Sequence, residues 1–179
     1  MFRIVSLITS LKQHLDYLAS NLKSYRPPAC PHCGFGRLWG HGCYERKADR
    51  SLPSGDSLNP IPIPRFLCTG CRHTCSRLPE CIAPRRWYDW ALQQVVFLML
   101  LKGSSRYQCS QVCGVTRSTV GRWWNELCER TQEFELFLRS RFPELGRTVN
   151  FEDFWQRCLQ IMPLSRAMAF LDQDGVVVP

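Results

Sequence analysis

The chain has no long apolar run. Its longest uninterrupted one covers residues 95–101, far short of the roughly 20 residues a membrane-spanning helix needs. It also lacks the marks of a secretory leader. The N-terminal stretch MFRIVSLITSLKQHLDYLASNLK is broken at Lys12 and offers no small-residue cleavage site. Acidic side chains are few, 15 against 23 basic, for a net charge of +8. No repeat is present beyond two CxxC pairs. These absences argue against a membrane protein and against a secreted disulfide framework. The expectation is a cytoplasmic protein with reduced thiols, where paired cysteines mean metal more often than disulfide.

Against that background, 11 cysteines in 179 residues stand out, and their number is odd. Hydrophobic content of 45% and aromatic content of 12% call for a folded chain. The positive charge is unevenly spread. Residues 1–29 sum to +3, residues 30–130 to +7 and residues 131–179 to −2, so a polyanion would be held by the first three-quarters of the chain.

Four parts are expected. Residues 1–26 read as an amphipathic helix, with Ile4, Ile8, Leu11, Leu15, Leu18 and Leu22 at spacings of three and four, ended by Arg26-Pro27-Pro28. Residues 27–84 are rich in Cys, Gly and Pro and read as strands and turns, with a loop over residues 52–60. Residues 85–130 turn helical, and residues 131–179 read as helix, a break at Pro143, a second helix, and a turn at Asp172-Gln173-Asp174-Gly175. The fold class is α+β, mostly α: a small β zinc ribbon, a helix-turn-helix, and a helical C-terminal region.

The CxxC pairs are Cys30-Pro31-His32-Cys33 and Cys68-Thr69-Gly70-Cys71. Two such turns suit one tetrahedral, structural Zn²⁺, because each aims two sulfurs and several backbone N–H groups at a single ion. The intervening residues hold a strand over 37–47 and a returning strand over 61–67, the layout of a ribbon too small to fold without metal. Other readings compete. Cys75 and Cys81 could complete a site with the second pair alone. Four thiolates could hold an iron–sulfur cluster, although the spacing differs from the common runs. A redox CxxC would need a βαβ context that is absent. His32, His41 and His73 could replace a thiolate. Cys43, Cys75, Cys109, Cys113, Cys128 and Cys158 read as small buried apolar residues.

In the helical part, WYDWALQQVVFLMLL closes at Gly103, and residues 105–113 precede Gly114. Gly114 falls where the turn between two helices needs a left-handed residue, and Ser110 where they cross closely. Val115, Val120 and Trp123 fall on the inner face, and Thr116 can cap the second helix. Arg117, Ser118, Thr119, Gly121, Arg122 and Asn125 are left facing out, suited to phosphates and base edges. Arg85, Arg86, Lys102 and Arg106 lie at helix ends. Arg72, His73 and Arg77 are candidates for a DNA-facing edge of the ribbon. A plain helical hairpin is the competing reading.

A CPHCG…HG.Y.RK…IPRFLCTGCRHTCSRLPE ribbon followed by GVTRSTVGRWW resembles the N-terminal DNA-binding module of bacterial insertion-sequence transposases and of small stand-alone proteins carrying the same pair. The resemblance covers residues 26–130. It implies structural zinc on Cys30, Cys33, Cys68 and Cys71, and contacts to element ends from Thr116 through Asn125. A nuclease domain with three carboxylates around two metals needs well over a hundred residues, more than the sequence after Thr131 supplies. The expectation is therefore a sequence-specific DNA-binding protein of a mobile element that is not itself an enzyme. Its partners are double-stranded DNA, a transposase or other element-encoded protein, and a second copy through the N-terminal helix or the Phe134/Leu138 face. A transcriptional repressor, a truncated transposase with residual nuclease activity, and a protein-interaction adaptor are the alternatives.

Overall fold

The run IPIPRFLC is the strand on which the first part of the molecule is organised. The computed structural model describes residues 3–49 and 57–178. The chain divides into two units, Met1–Tyr88 and Asp89–Pro179, and the fold is α+β with helix predominating. The loop expected over residues 52–60 lies mostly outside the described residues.

The first unit contains β1 (Ile4–Val5), α1 (Leu11–Asn21), β2 (Leu38–Arg46), β3 (Ile61–Cys68), β4 (Thr74–Cys75) and β5 (Leu78–Pro79). β2, β3 and β4 form an antiparallel sheet in that order, with a bulge between Gly40 and Cys43 where Gly42 takes φ 70°. A central strand rarely holds proline, which cannot donate to the ladder. β3 carries Pro62 and Pro64 because β4 pairs only with Phe66 and Leu67, so the proline half has β2 on one side and no strand on the other.

The N-terminal helix is shorter than its apolar spacing predicts. Ile4 and Val5 instead pair in parallel with Leu78 and Pro79. Leu7 turns into the left-handed region, φ 72°, with its N–H donated to the buried Glu80 carboxylate at 2.9 Å. The helix begins only at Ser10, whose hydroxyl accepts from the Gln13 N–H. The apolar spacing is real, but it serves a strand and a helix in succession. α1 then seats His14 between two partners. Its Nδ1 meets the Tyr25 hydroxyl at 2.5 Å and its Nε2 the Pro62 carbonyl at 2.9 Å.

The second unit contains α2 (Trp90–Leu101), α3 (Arg106–Cys113), α4 (Arg117–Arg141), α5 (Phe151–Ile161) and α6 (Leu164–Gln173). Asp89, Ser105, Thr116 and Asn150 cap four of these helices with side-chain oxygens. α4 runs straight through the boundary expected at 130/131. Nothing between Arg122 and Phe142 breaks a helix, and Arg130–Glu133 and Arg139–Glu135 pair along it. Phe134 and Leu138 are fully buried, Phe134 against the Trp155 ring. Phe134 and Leu138 belong to the unit's own core. The expected turn at residues 172–175 is the end of α6, where Gly175 (φ 83°) donates to Asp172 and Val176 donates to Leu171. Among the described residues, no helix is long and apolar enough to cross a membrane.

Two tests follow from buried hydrogen bonds. Burial lowers the His14 pKa below its usual 6.5, and the Pro62 carbonyl opposes this only in part. The unfolded chain therefore takes up a proton that the folded one refuses. Stability is complete above about 6.5 and falls as pH drops toward the folded-state value. His14→Gln should flatten that slope in metal-saturated protein, and Tyr25→Phe should cost about 1–3 kcal/mol by leaving Nδ1 without a donor. In the second unit, the Thr131 hydroxyl accepts from the Trp155 indole N–H at 3.0 Å. Thr131→Val keeps the shape and should cost about 1–3 kcal/mol in denaturant unfolding.

Candidate metal centre and nucleic-acid interface

Each CxxC turn curls around its own first cysteine. In the first, Gly34 donates to the Cys30 carbonyl at 2.8 Å and Cys30 donates to the Phe35 carbonyl. In the second, Arg72 donates to Cys68 at 3.1 Å and Cys68 to His73 at 2.9 Å. The residue after each second cysteine is left-handed, Gly34 at φ 74° and Arg72 at φ 63°. Glycine adopts this freely, whereas arginine does so at a cost. The β2–β3 ladder then brings the two turns together, with Leu38 opposite Cys68.

The result is one cluster. The Sγ atoms of Cys30, Cys33, Cys68 and Cys71 all lie within 4.8 Å of one another. Across the turns, Cys30 faces Cys71 and Cys33 faces Cys68, each at 3.6 Å. A tetrahedral ion with metal–sulfur bonds of roughly 2.3 Å needs sulfurs about 3.8 Å apart, so this donor set could hold one metal ion. The electrostatics agree. The Cys71 N–H, aided by that of Gly70, holds the Cys68 thiol down at about 7 against burial. The His73 N–H also pulls the Cys71 thiol down, but burial and the neighbouring sulfurs outweigh it and push it up to about 12. Four thiolates at this spacing need a cation among them.

The competing ligands stay out of the cluster. Cys75 is buried in the adjoining core, and Cys81 packs under Ile61, Ile63, Leu78 and Ile82. His32 and His73 stack on each other at 4.6 Å, one from each turn, with both exposed. Two further cysteines correct the sequence reading. Cys43 and Cys128 are exposed rather than packed, because Cys43 sits at the β2 bulge and Cys128 on the outer side of α4.

In the second unit, α3, a turn at Gly114 (φ 64°) and α4 form a helix–turn–helix pair. Val115, Val120 and Trp123 are buried beneath it. Arg106, Arg117, Ser118, Arg122 and Asn125 line one open groove of about 730 Å³, which Glu126, Glu129 and Arg130 bound at its far end. Thr116 and Thr119 sit beside it in the cap, where the Thr116 hydroxyl accepts from the Thr119 N–H and lies 3.1 Å from the Ser118 hydroxyl. Gly121 lies on the outward row and lines the groove, but it is covered. A Cβ there would stand 3.0 Å from Arg106 Nη1. The Arg106 guanidinium lies across it and donates to Asn125 Oδ1 at 3.0 Å. Arg117 rests over the Tyr107 ring at 5.8 Å. These tertiary seats for the arginines escape a reading of spacing alone. One sequence signal does exist: 117, 121 and 125 form a single helical row whose middle member has no side chain.

The remaining candidates lie in the first unit. Arg72 and His73 are exposed on the second CxxC turn. Arg77 instead turns inward and donates to the Ile4 carbonyl at 2.9 Å. Arg46 donates to the Ala83 and Arg86 carbonyls and fixes that bend, where Arg85 is exposed with φ 54°. Arg85, Arg86 and Lys47 share a recess of about 360 Å³ with the exposed Trp87, which the sequence reading did not single out.

No curated protein matches the chain, and neither does any solved structure. What does match begins at the first cysteine of the cluster and ends at the buried tryptophan of α4. It spans both CxxC turns, α3 and the start of α4. Residues 30–123 fit the family model described as "Domain of unknown function (DUF6431)", and the chain belongs to that family.

Proposed function

We propose that this chain is a zinc-dependent, sequence-specific DNA-binding protein of a bacterial mobile element, acting in targeting or regulation and carrying out no strand cleavage of its own. The observation that carries the reading is the groove on α3 and α4. Three arginines, a serine and an asparagine converge there on the exposed side of a helix–turn–helix pair. Arginine forks suit guanine edges and phosphates, and asparagine suits adenine. The resemblance to insertion-sequence transposase modules supports the mobile-element context, double-stranded DNA as the partner, and an element-encoded protein as a second one. It also fits a cytoplasmic, nucleoid-associated location. Zinc is the ion proposed for the four thiolates, since a closed four-sulfur set is its usual structural site.

The decisive experiment selects bound duplexes from a random pool with zinc-loaded protein at two salt concentrations. Enrichment of one sequence, with affinity falling steeply as salt rises, is expected. A pool that stays unenriched at both salts overturns the reading, and a bound site at a promoter rather than at element ends favours a repressor. Replacing Arg117 and Arg122 together with alanine should weaken the selected duplex by a few kcal/mol, at about 1–3 kcal/mol per base-reading side chain. For the metal, Cys30→Ser or Cys68→Ser should abolish stoichiometric zinc and unfold the first unit. Cys75→Ser, outside the cluster, should keep the zinc. Full zinc retention by either ligand variant would sink the assignment.

A further inference from the structure

The row Arg117, Gly121, Asn125 runs along the groove with a gap at its centre, and a side chain from another helix fills the gap. Arg106 opens α3, crosses to α4, brings Nη1 to 3.0 Å from where a Cβ of residue 121 would stand, and donates to Asn125 Oδ1 through Nη2. Glycine is the poorest non-proline residue for a helix interior, and α4 gains nothing in stability from one at its fifth position. What Gly121 provides is room. A Cβ there would stand 3.0 Å from Nη1, so a side chain at this position requires the guanidinium to leave its seat. The seat also removes much of the rotamer freedom that a long exposed arginine otherwise loses on binding, which is how preorganisation raises affinity.

We infer that Arg106 reads a base edge in the major groove in place of the side chain that position 121 lacks, with Gly121 as its positioning residue. This rests on the DNA-binding reading above. The acceptor pair best matched to a seated guanidinium is guanine O6 and N7. Glu126, Glu129 and Arg130 bound the far end of the groove, so the cationic side chains not flanked by carboxylates are those at the start of α4.

The test compares the selected duplex with a scrambled one, using full-length zinc-loaded protein and the variants Gly121→Ala, Gly121→Leu, Arg106→Ala, Arg106→Lys and Arg106→Ala combined with Gly121→Leu. Gly121→Leu should fold with an equal or higher unfolding midpoint, yet lose about tenfold or more on the selected duplex and little on the scrambled one. Gly121→Ala should fall between it and the wild type. Arg106→Lys should keep scrambled-duplex binding and lose the selected preference, because lysine has the charge without the fork. The double variant should bind no more weakly than Arg106→Ala. Wild-type binding by Gly121→Leu, penalties that multiply in the double variant, or equal losses on both duplexes would each overturn the inference and leave the protein a DNA binder. Failure of the wild type to select any duplex would remove the underlying reading as well.

Discussion

The first unit depends on a problem of charge. Four sulfurs within 4.8 Å of one another cannot all ionise unless a cation shares the space, and the opposed behaviour of Cys68 and Cys71 expresses that conflict. Two of the same cysteines are also core residues. Cys30 and Cys68 pack with Val5, Ile8, Tyr25, Leu38 and Phe66, so the metal-binding atoms and the apolar core cannot be separated. The core is small, and its second cluster holds only Ile61, Ile63, Leu78 and Ile82 as buried members. An ion held by these sulfurs would couple its binding to the folding of the turns and of the β2–β3 register.

The second unit has no such dependence. Its order comes from capped helices and large aromatic side chains: Trp123, Phe134, Phe154 and Trp155 are all buried, with Phe154, Phe134 and Trp155 meeting edge to face. α4 holds this core along its length and presents the groove at its start. A rigid scaffold beneath exposed arginines keeps their positions constant, which a reader of base edges needs more than it needs affinity. The two units are thus built differently, one around a four-cysteine cluster and the other through aromatic packing.

Much of this was legible in the sequence because it is written in local patterns. The CxxC turns, the two ribbon strands, Gly114, the Thr116 cap and the buried trio Val115, Val120 and Trp123 all follow from spacing. What escaped is tertiary. Apolar residues at helical spacing in the N-terminal stretch gave no hint that Ile4 and Val5 pair with Leu78 and Pro79, since that partner lies more than 70 residues away. Gly121 was read as outward because its place on the helix is outward. Only the arrival of Arg106 from a neighbouring helix buries it. Phe134 and Leu138 formed an apolar face in the sequence, and periodicity cannot say whether such a face meets a second copy or the chain's own α5.

The placement of charge along α4 bears on why the groove is built as it is. The positive end of a helix dipole favours carboxylates and disfavours cations by about 0.3–1 kcal/mol each. α5 follows that rule with Glu152 and Asp153 in its first turn. α4 has no acid in its first turn and carries Arg117 there, with Arg122 following and Arg106 laid across it. Its acids begin only at Glu126. A helix selected for stability alone would reverse this order. Three guanidinium groups gathered around the first two turns of α4 raise the local positive potential, which is the field the proposed DNA partner would need. The same reversal explains why two of the arginines have seats: like charges repel, and the Tyr107 ring holds Arg117 while the bare backbone of Gly121 and the Asn125 amide oxygen hold Arg106.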